Sequence, residues 1–174
     1  MKTKLGIFVL LLLIVLLAAC SAEPATEEGY TDDIKGLVHQ YSISDVSDET
    51  ASITSEHLIV ADRDGNKTIY SLPKDEFFVS IAPYINVTHP CKNHSLTSCQ
   101  GELTEEEFDV YIEDSEGNAV IEDTLKTYAN GFIDLWLPRN ETYHITINHK
   151  GKKAEASFST FDQDGTCITT IQLH

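Results

Sequence analysis

The sequence predicts a mainly β protein, with a small α+β N-terminal unit followed by an antiparallel β-sandwich or Greek-key C-terminal domain. Three observations carry this reading. One stretch has helical periodicity: Ile34, Leu37, Val38 and Tyr41 fall at i, i+3, i+4 and i+7. From Glu76 onward, apolar residues instead fall in short, regularly spaced runs of strand length. Turn-forming words such as "DSEGN" and "DQDG" separate those runs.

The elements follow in order. Lys2 and Lys4 form a short positive region ahead of the apolar run Leu5 to Leu17. That run is short for a membrane span and too apolar for a surface helix. It ends in Leu17-Ala18-Ala19-Cys20, which resembles a bacterial lipobox. The resemblance implies a signal peptide over residues 1–20, cleavage before Cys20 and a lipid on its thiol. The protein is then expected on the outer face of the bacterial cytoplasmic membrane, held by acyl chains rather than a spanning helix. Residues 21–31 are polar and Glu-rich and read as a flexible tether.

Residues 32–72 read as a helix-plus-hairpin unit. The helix is placed at about Asp32 to Tyr41, with Thr31 as its cap and Asp32 and Asp33 in its first turn. In the hairpin, "HLIVAD" and "KTIYSL" flank Arg63-Asp64-Gly65-Asn66, and Asp-Gly is a strong turn signal. The unit is too small to hold a large core alone. It is expected to dock on the rest of the chain or to form a homodimer. Pro73 and Lys74 mark a boundary, and residues 75–174 make the β-domain. Its strands are read from "EFFVSIAP", "EEFDVYIED", "AVIEDTL", "GFIDLWLP", "TYHITINH", "KKAEASFSTF" and "TCITTIQL". In the second of these, Phe108, Val110 and Ile112 share one face; in the fifth, Tyr143, Ile145 and Ile147 do.

Without its first twenty residues the chain keeps ten basic against 28 acidic side chains, a formal charge of −18. Nucleic acid and anionic lipid headgroups are poor partners for such a surface. No Ser–His–Asp order, phosphate loop or paired-carboxylate motif stands out.

Chemistry concentrates in one loop, from about Asn86 to Thr104, longer than a connection between strands needs to be. It holds His89, Cys91, His94 and Cys99 within eleven residues. With Cys20 assigned to lipid, three thiols remain, Cys91, Cys99 and Cys167, and three cannot all pair within one chain. In an oxidising compartment, a Cys91–Cys99 disulfide stapling the loop, with Cys167 buried as a small hydrophobe, is one reading. A bridge from Cys167 would close a longer loop and gain more chain entropy, but energy alone does not choose between pairings. The other reading joins all three thiols in one soft site. Cu(I) prefers such donors, with His89 or His94 as an added imidazole. Zinc in a Cys₃His tetrahedron is the competing metal, although the eight-residue cysteine spacing is not that of a structural zinc knuckle. A dithiol can also give two electrons to an external oxidant such as Cu(II) and end as a disulfide.

These residues carry a resemblance to a family. The words "SLPKDEFFVSIAPYINVTHPCKNHSLTSCQGEL", "ANGFIDLWLPRNETY" and "FSTFDQDGTCITTIQL" resemble the CueP family of bacterial envelope copper-binding proteins. The resemblance runs from about Tyr30 to Leu173. It implies copper binding through Cys91, Cys99 and Cys167, with His89 and His94 as nearby imidazoles. It also implies a role in copper tolerance, reduction of Cu(II) to Cu(I) and transfer of copper to a superoxide dismutase. A copper-recipient protein and a thiol reductant are the expected partners. The lipobox departs from the soluble members of the family. Two other classes compete: an envelope thiol–disulfide redox protein, and a structural or adhesive β-domain with one disulfide and no metal. Neither a Cys-x-x-Cys nor a thioredoxin-like βαβ pattern supports the first of these. His39 and His57 read as ordinary surface or satisfied histidines, His144 and His149 as strand and turn residues with a copper role only if neighbouring loops approach, and Trp136 as core or half-buried.

Overall fold

The computed structural model describes residues 24–44 and 48–174, so the apolar leader, Cys20 and the start of the tether lie outside the described residues. Twelve strands and one helix follow: β1 (Thr26–Glu28), α1 (Ile34–Ile43), β2 (Thr50–Ile53), β3 (His57–Ala61), β4 (Lys67–Ser71), β5 (Glu76–Ile81), β6 (His94–Ser95), β7 (Glu107–Glu113), β8 (Ala119–Lys126), β9 (Ile133–Pro138), β10 (Thr142–His149), β11 (Lys152–Ser159) and β12 (Cys167–Ile168). They form three sheets, ordered β1-β4-β3-β2-β6, β12-β5-β9 and β11-β10-β7-β8.

The turns are set by local chemistry. Asp62 accepts the backbone N–H of Asp64 and Asn66 through one carboxylate oxygen, at 2.9 Å each. Asp114 repeats this with Glu116 and Asn118 in the β7–β8 hairpin. Each turn closes on a glycine with positive φ, Gly65 at 85° and Gly117 at 84°, a conformation that a side chain would strain. The β10–β11 connection is shorter. His149 pairs directly with Lys152, leaving Lys150 and Gly151 in the turn, both with positive φ as a two-residue hairpin demands.

The helix runs two residues later than its periodicity suggests. Its cap is Asp33, whose carboxylate accepts the Gly36 N–H at 2.8 Å, rather than Thr31, which accepts the Asp33 N–H instead. The longer, charged acceptor reaches the free N–H groups of the first turn, so the helix starts after it.

Alternation decides the layers. Phe108, Val110 and Ile112 of β7 and Tyr143, Ile145 and Ile147 of β10 point inward, as expected, and meet Phe77, Val79 and Ile81 of β5 across the sandwich. The opposite face of β5 presents Phe78, which packs edge-on against Trp136 at 5.2 Å between ring centroids. Phe78 belongs to the core of the N-terminal unit, with Val38, Ala51, Ile53, Leu58 and Val60. The three-stranded sheet is therefore buried on both faces, which is why β5 reads as a near-continuous apolar run rather than an alternating one. By contrast β8, at a sheet edge, is largely exposed and carries Glu122 and Asp123, charges that discourage edge-to-edge pairing.

Residues 26–28, expected within the flexible tether, instead form β1, which pairs parallel with β4 because backbone bonds from Lys67 N to Ala25 O and from Gly29 N to Ile69 O hold it on that edge. Two further features depart from the sequence-based expectation, and both concern the site. The long loop contains a strand of its own, β6, which adds to the N-terminal sheet through Ser52↔Ser95 and Ile53↔His94. The C-terminal segment is strand only at Cys167–Ile168, and it runs parallel to β5 rather than antiparallel to a neighbour. It follows the Asp162–Gly165 turn and borders the thiol loop, so its backbone bonds divide between sheet and loop. Ser80 N donates to Thr166 O at 2.8 Å, while Cys167 N donates to Lys92 O at 3.1 Å.

Candidate metal centre

The base of the loop is clamped by Glu102. Its carboxylate accepts the backbone N–H groups of Ile85 (2.6 Å), Asn86 (2.9 Å) and Val87 (3.3 Å). These donors, the Asn86 N–H foremost, hold its pKa down at about 2. From that clamp the chain reaches Cys91 and then β6. The loop comes close to the last strand because Gly165 has no side chain: a Cβ there would lie 2.5 Å from the Lys92 carbonyl oxygen. Cys91 and Cys167, 76 positions apart, are thereby brought to a Cα–Cα distance of 5.7 Å and joined as a disulfide.

This corrects the expected Cys91–Cys99 staple. Cys99 is a free thiol, half-buried, with its Sγ 3.7 Å from that of Cys91. The parallel register β12–β5 sets Cys167 beside Ser80, on the side where the loop crosses, and Cys91 is the cysteine it meets. Cys167 is not an isolated buried thiol either. It lies in a small apolar cluster with Ala82 and Phe132, flanked by Cys91 and Cys99.

The two histidines separate. His94 is fully buried, and its Nδ1 lies 3.6 Å from Cys167 Sγ. Its ring packs at 4.3 Å between centroids on Phe132, itself fully buried. Removal from water pushes its pKa down to about 4, with the neighbouring His89 a smaller cause, so the imidazole is neutral. The donor atoms of Cys91, His94, Cys99 and Cys167 all lie within 4.8 Å of one another. His89 does not belong to that group. It is half-buried, edge-on to Phe132 at 6.3 Å, and its Nε2 has no hydrogen-bond partner. His39, His144 and His149 are engaged elsewhere, with Tyr128, Ser157 and the Glu107 carbonyl respectively.

The chemistry of this donor set fits a soft metal. Neither ring nitrogen of His94 has a nitrogen or oxygen partner: Nδ1 faces sulfur and Nε2 is buried without any. Orphaned buried polar atoms are costly and call for a functional explanation. A neutral imidazole lone pair among sulfurs, inside an apolar wall, is what Cu(I) or Zn(II) would accept. Cys91 and Cys99 are half-exposed, which leaves the cluster open to solvent on their side.

Residues 34–172 match the family described as "Periplasmic copper-binding protein CueP". The chain belongs to the CueP family. A search of solved structures agrees: the "Crystal Structure of S.CueP" shares 33% identity, covers 93% of this chain and 96% of its own, and superposes with a TM-score of 0.74. No curated protein matches. CueP proteins are thus periplasmic copper-binding proteins of mainly β architecture, and this member carries a cysteine and histidine cluster able to hold a metal.

Sequence reasoning missed two residues that shape the cluster in this CueP protein. Phe132 forms its apolar floor; the only signal was its place at the start of "GFIDLWLP". Thr166 precedes Cys167, is fully buried and bonds to both the loop and the N-terminal sheet. Its signal was only its place in the "TCITT" word.

Proposed function

We propose that this protein sequesters Cu(I) at the cell envelope through the thiolates of Cys91, Cys99 and Cys167, with His94 as the nitrogen donor. The observation that carries the reading is the gathering of those four donor atoms within 4.8 Å, with the imidazole buried and neutral. The disulfide form offers only Cys99 and His94 as full donors, so the metal-binding form is the reduced one. Cu(II) is reduced on the way: the thiolates of Cys91 and Cys167 give one electron each to two Cu(II) ions, leaving two Cu(I) and the Cys91–Cys167 disulfide. A protein thiol reductant then resets the pair, and a copper acceptor takes the ion. Three sulfurs with a neutral imidazole suit Cu(I) ahead of zinc, by donor softness. The lipobox-like Leu17-Ala18-Ala19-Cys20 supports a lipid anchor at Cys20 on the outer face of the cytoplasmic membrane.

The test is a competition titration of the reduced protein with a Cu(I) chelator. One Cu(I) per chain is expected, and Cys→Ser at Cys91, Cys99 or Cys167 weakens binding strongly. Unchanged Cu(I) affinity in the triple variant removes the proposal. Tighter Zn(II) than Cu(I) binding by the wild type removes the choice of metal.

The half-exposed Cys99 thiol, 3.7 Å from one sulfur of the disulfide, favours a second reading as an envelope thiol–disulfide redox protein. An insulin-reduction assay separates the two: turnover supports the redox reading.

A further inference from the structure

The copper reading leaves Thr166 without a role. It is fully buried, next in sequence to Cys167, and lies outside the cluster of four donors. Its Oγ1 accepts the His94 backbone N–H at 2.9 Å and donates to the Ile53 carbonyl at 2.7 Å. Its own carbonyl accepts the Ser80 N–H at 2.8 Å. One residue thus ties the thiol loop, strand β2 of the N-terminal sheet and strand β5 of the central sheet. Ile53 is also the register partner of His94 in the β2–β6 pairing, so the hydroxyl bridges the two residues that the strands already pair.

A histidine on a loop has many rotamers and backbone positions open to it. The His94 ring has no nitrogen or oxygen partner: Nε2 has none at all and Nδ1 meets only the Cys167 sulfur, at 3.6 Å. The orientation of the ring is therefore set through its backbone, the Phe132 and Phe78 rings and the Cys167 sulfur. The hydroxyl is the polar part of that support.

Resting on the Cu(I) site proposed above, we infer that Thr166 is a positioning residue for the nitrogen donor, through which the N-terminal sheet fixes His94 beside Cys167. It acts through His94 and touches no metal. Loss of outer hydrogen bonds that orient a ligating histidine typically weakens metal binding about 10- to 100-fold. Losing the hydroxyl here should do the same, and should show as loss of nitrogen rather than sulfur from the copper sphere.

The experiment compares the full chain in detergent, reduced and loaded with Cu(I), as wild type and as Thr166→Val, Thr166→Ala and Thr166→Ser. Two quantities are read: Cu(I) affinity by chelator competition, and the Cu–N contribution in copper K-edge X-ray absorption. Val and Ala are expected to bind about 10- to 100-fold more weakly with a diminished Cu–N contribution, and Ser to restore both. Wild-type affinity with an intact Cu–N contribution in Thr166→Val overturns the inference and leaves the copper site standing. Weaker binding with an unchanged Cu–N contribution also overturns it, because the effect is then merely structural. A wild type that binds no Cu(I) overturns the site itself, and this inference with it. Hydrogen exchange of the wild type needs no variant: the His94 amide is expected to be protected like the core strands, and exchange at exposed-loop rates overturns the inference.

Discussion

Reducing the Cys91–Cys167 disulfide should lower the thermal stability of the metal-free protein by a predictable amount. The bridge joins positions 76 apart. In the chain-entropy model a loop of that length loses about 4.5 kcal/mol of unfolded-state freedom when closed, against about 2.6 kcal/mol for the alternative Cys91–Cys99 loop. For a chain of this size each kcal/mol moves the melting temperature by about 2–4 °C, so reduction should lower it by about 9–18 °C. Scanning calorimetry with and without a phosphine reductant reads the shift directly. Cys99→Ala should keep the full reductant-dependent drop, since Cys99 is the free thiol. Cys167→Ala should melt near the reduced value under both conditions. Cu(I) should raise the reduced protein again, by about 2.7 kcal/mol at a free concentration one hundred times its dissociation constant. A reductant-dependent drop that survives Cys167→Ala but vanishes in Cys99→Ala would show that the sulfurs pair otherwise and would refute the geometry of the site.

Two further outcomes follow from the same residues. His94 is held neutral, with its pKa lowered from 6.5 to about 4 by burial. The unfolded chain therefore binds the extra proton first as pH falls. Stability should be complete above pH 6.5 and decline between there and pH 4, by roughly 3 kcal/mol in all. Urea titrations of wild type and His94→Leu across that range check it, and an equal decline in both would rule it out. For the proposed membrane anchor, Cys20→Ser should move the protein from the membrane fraction to the soluble fraction of cells and abolish palmitate labelling. Labelling that persists in the variant would contradict the lipobox reading.

Much of the fold is encoded by short-range patterns that sequence displays openly. The alternation of Phe108, Val110 and Ile112 assigns a face before any partner strand is known, because successive side chains in a strand point to opposite sides. The Asp-x-Asp/Glu-Gly-Asn words of the two hairpin turns carry their own hydrogen bonds and their own positive-φ glycine. A helix of ten residues shows its buried stripe, though not which residue caps it. The loop of residues 86–104 also announces chemistry, by its length and by four soft or borderline donors close together.

The sequence by itself determined the β-rich class, the helix ahead of the first hairpin, the turn positions and the short roster of thiols and imidazoles from which any site must be built. Only the tertiary structure decided which of them meet. Whether Cys91 bonds to Cys99 or to Cys167 depends on β12 running parallel to β5 and on Gly165 leaving room for the Lys92 carbonyl. Whether His89 or His94 faces the sulfurs depends on β6 joining a strand some forty residues earlier. Such choices rest on contacts between segments remote along the chain. Local pattern carries no record of them, because each segment is equally satisfied locally whichever partner it finds.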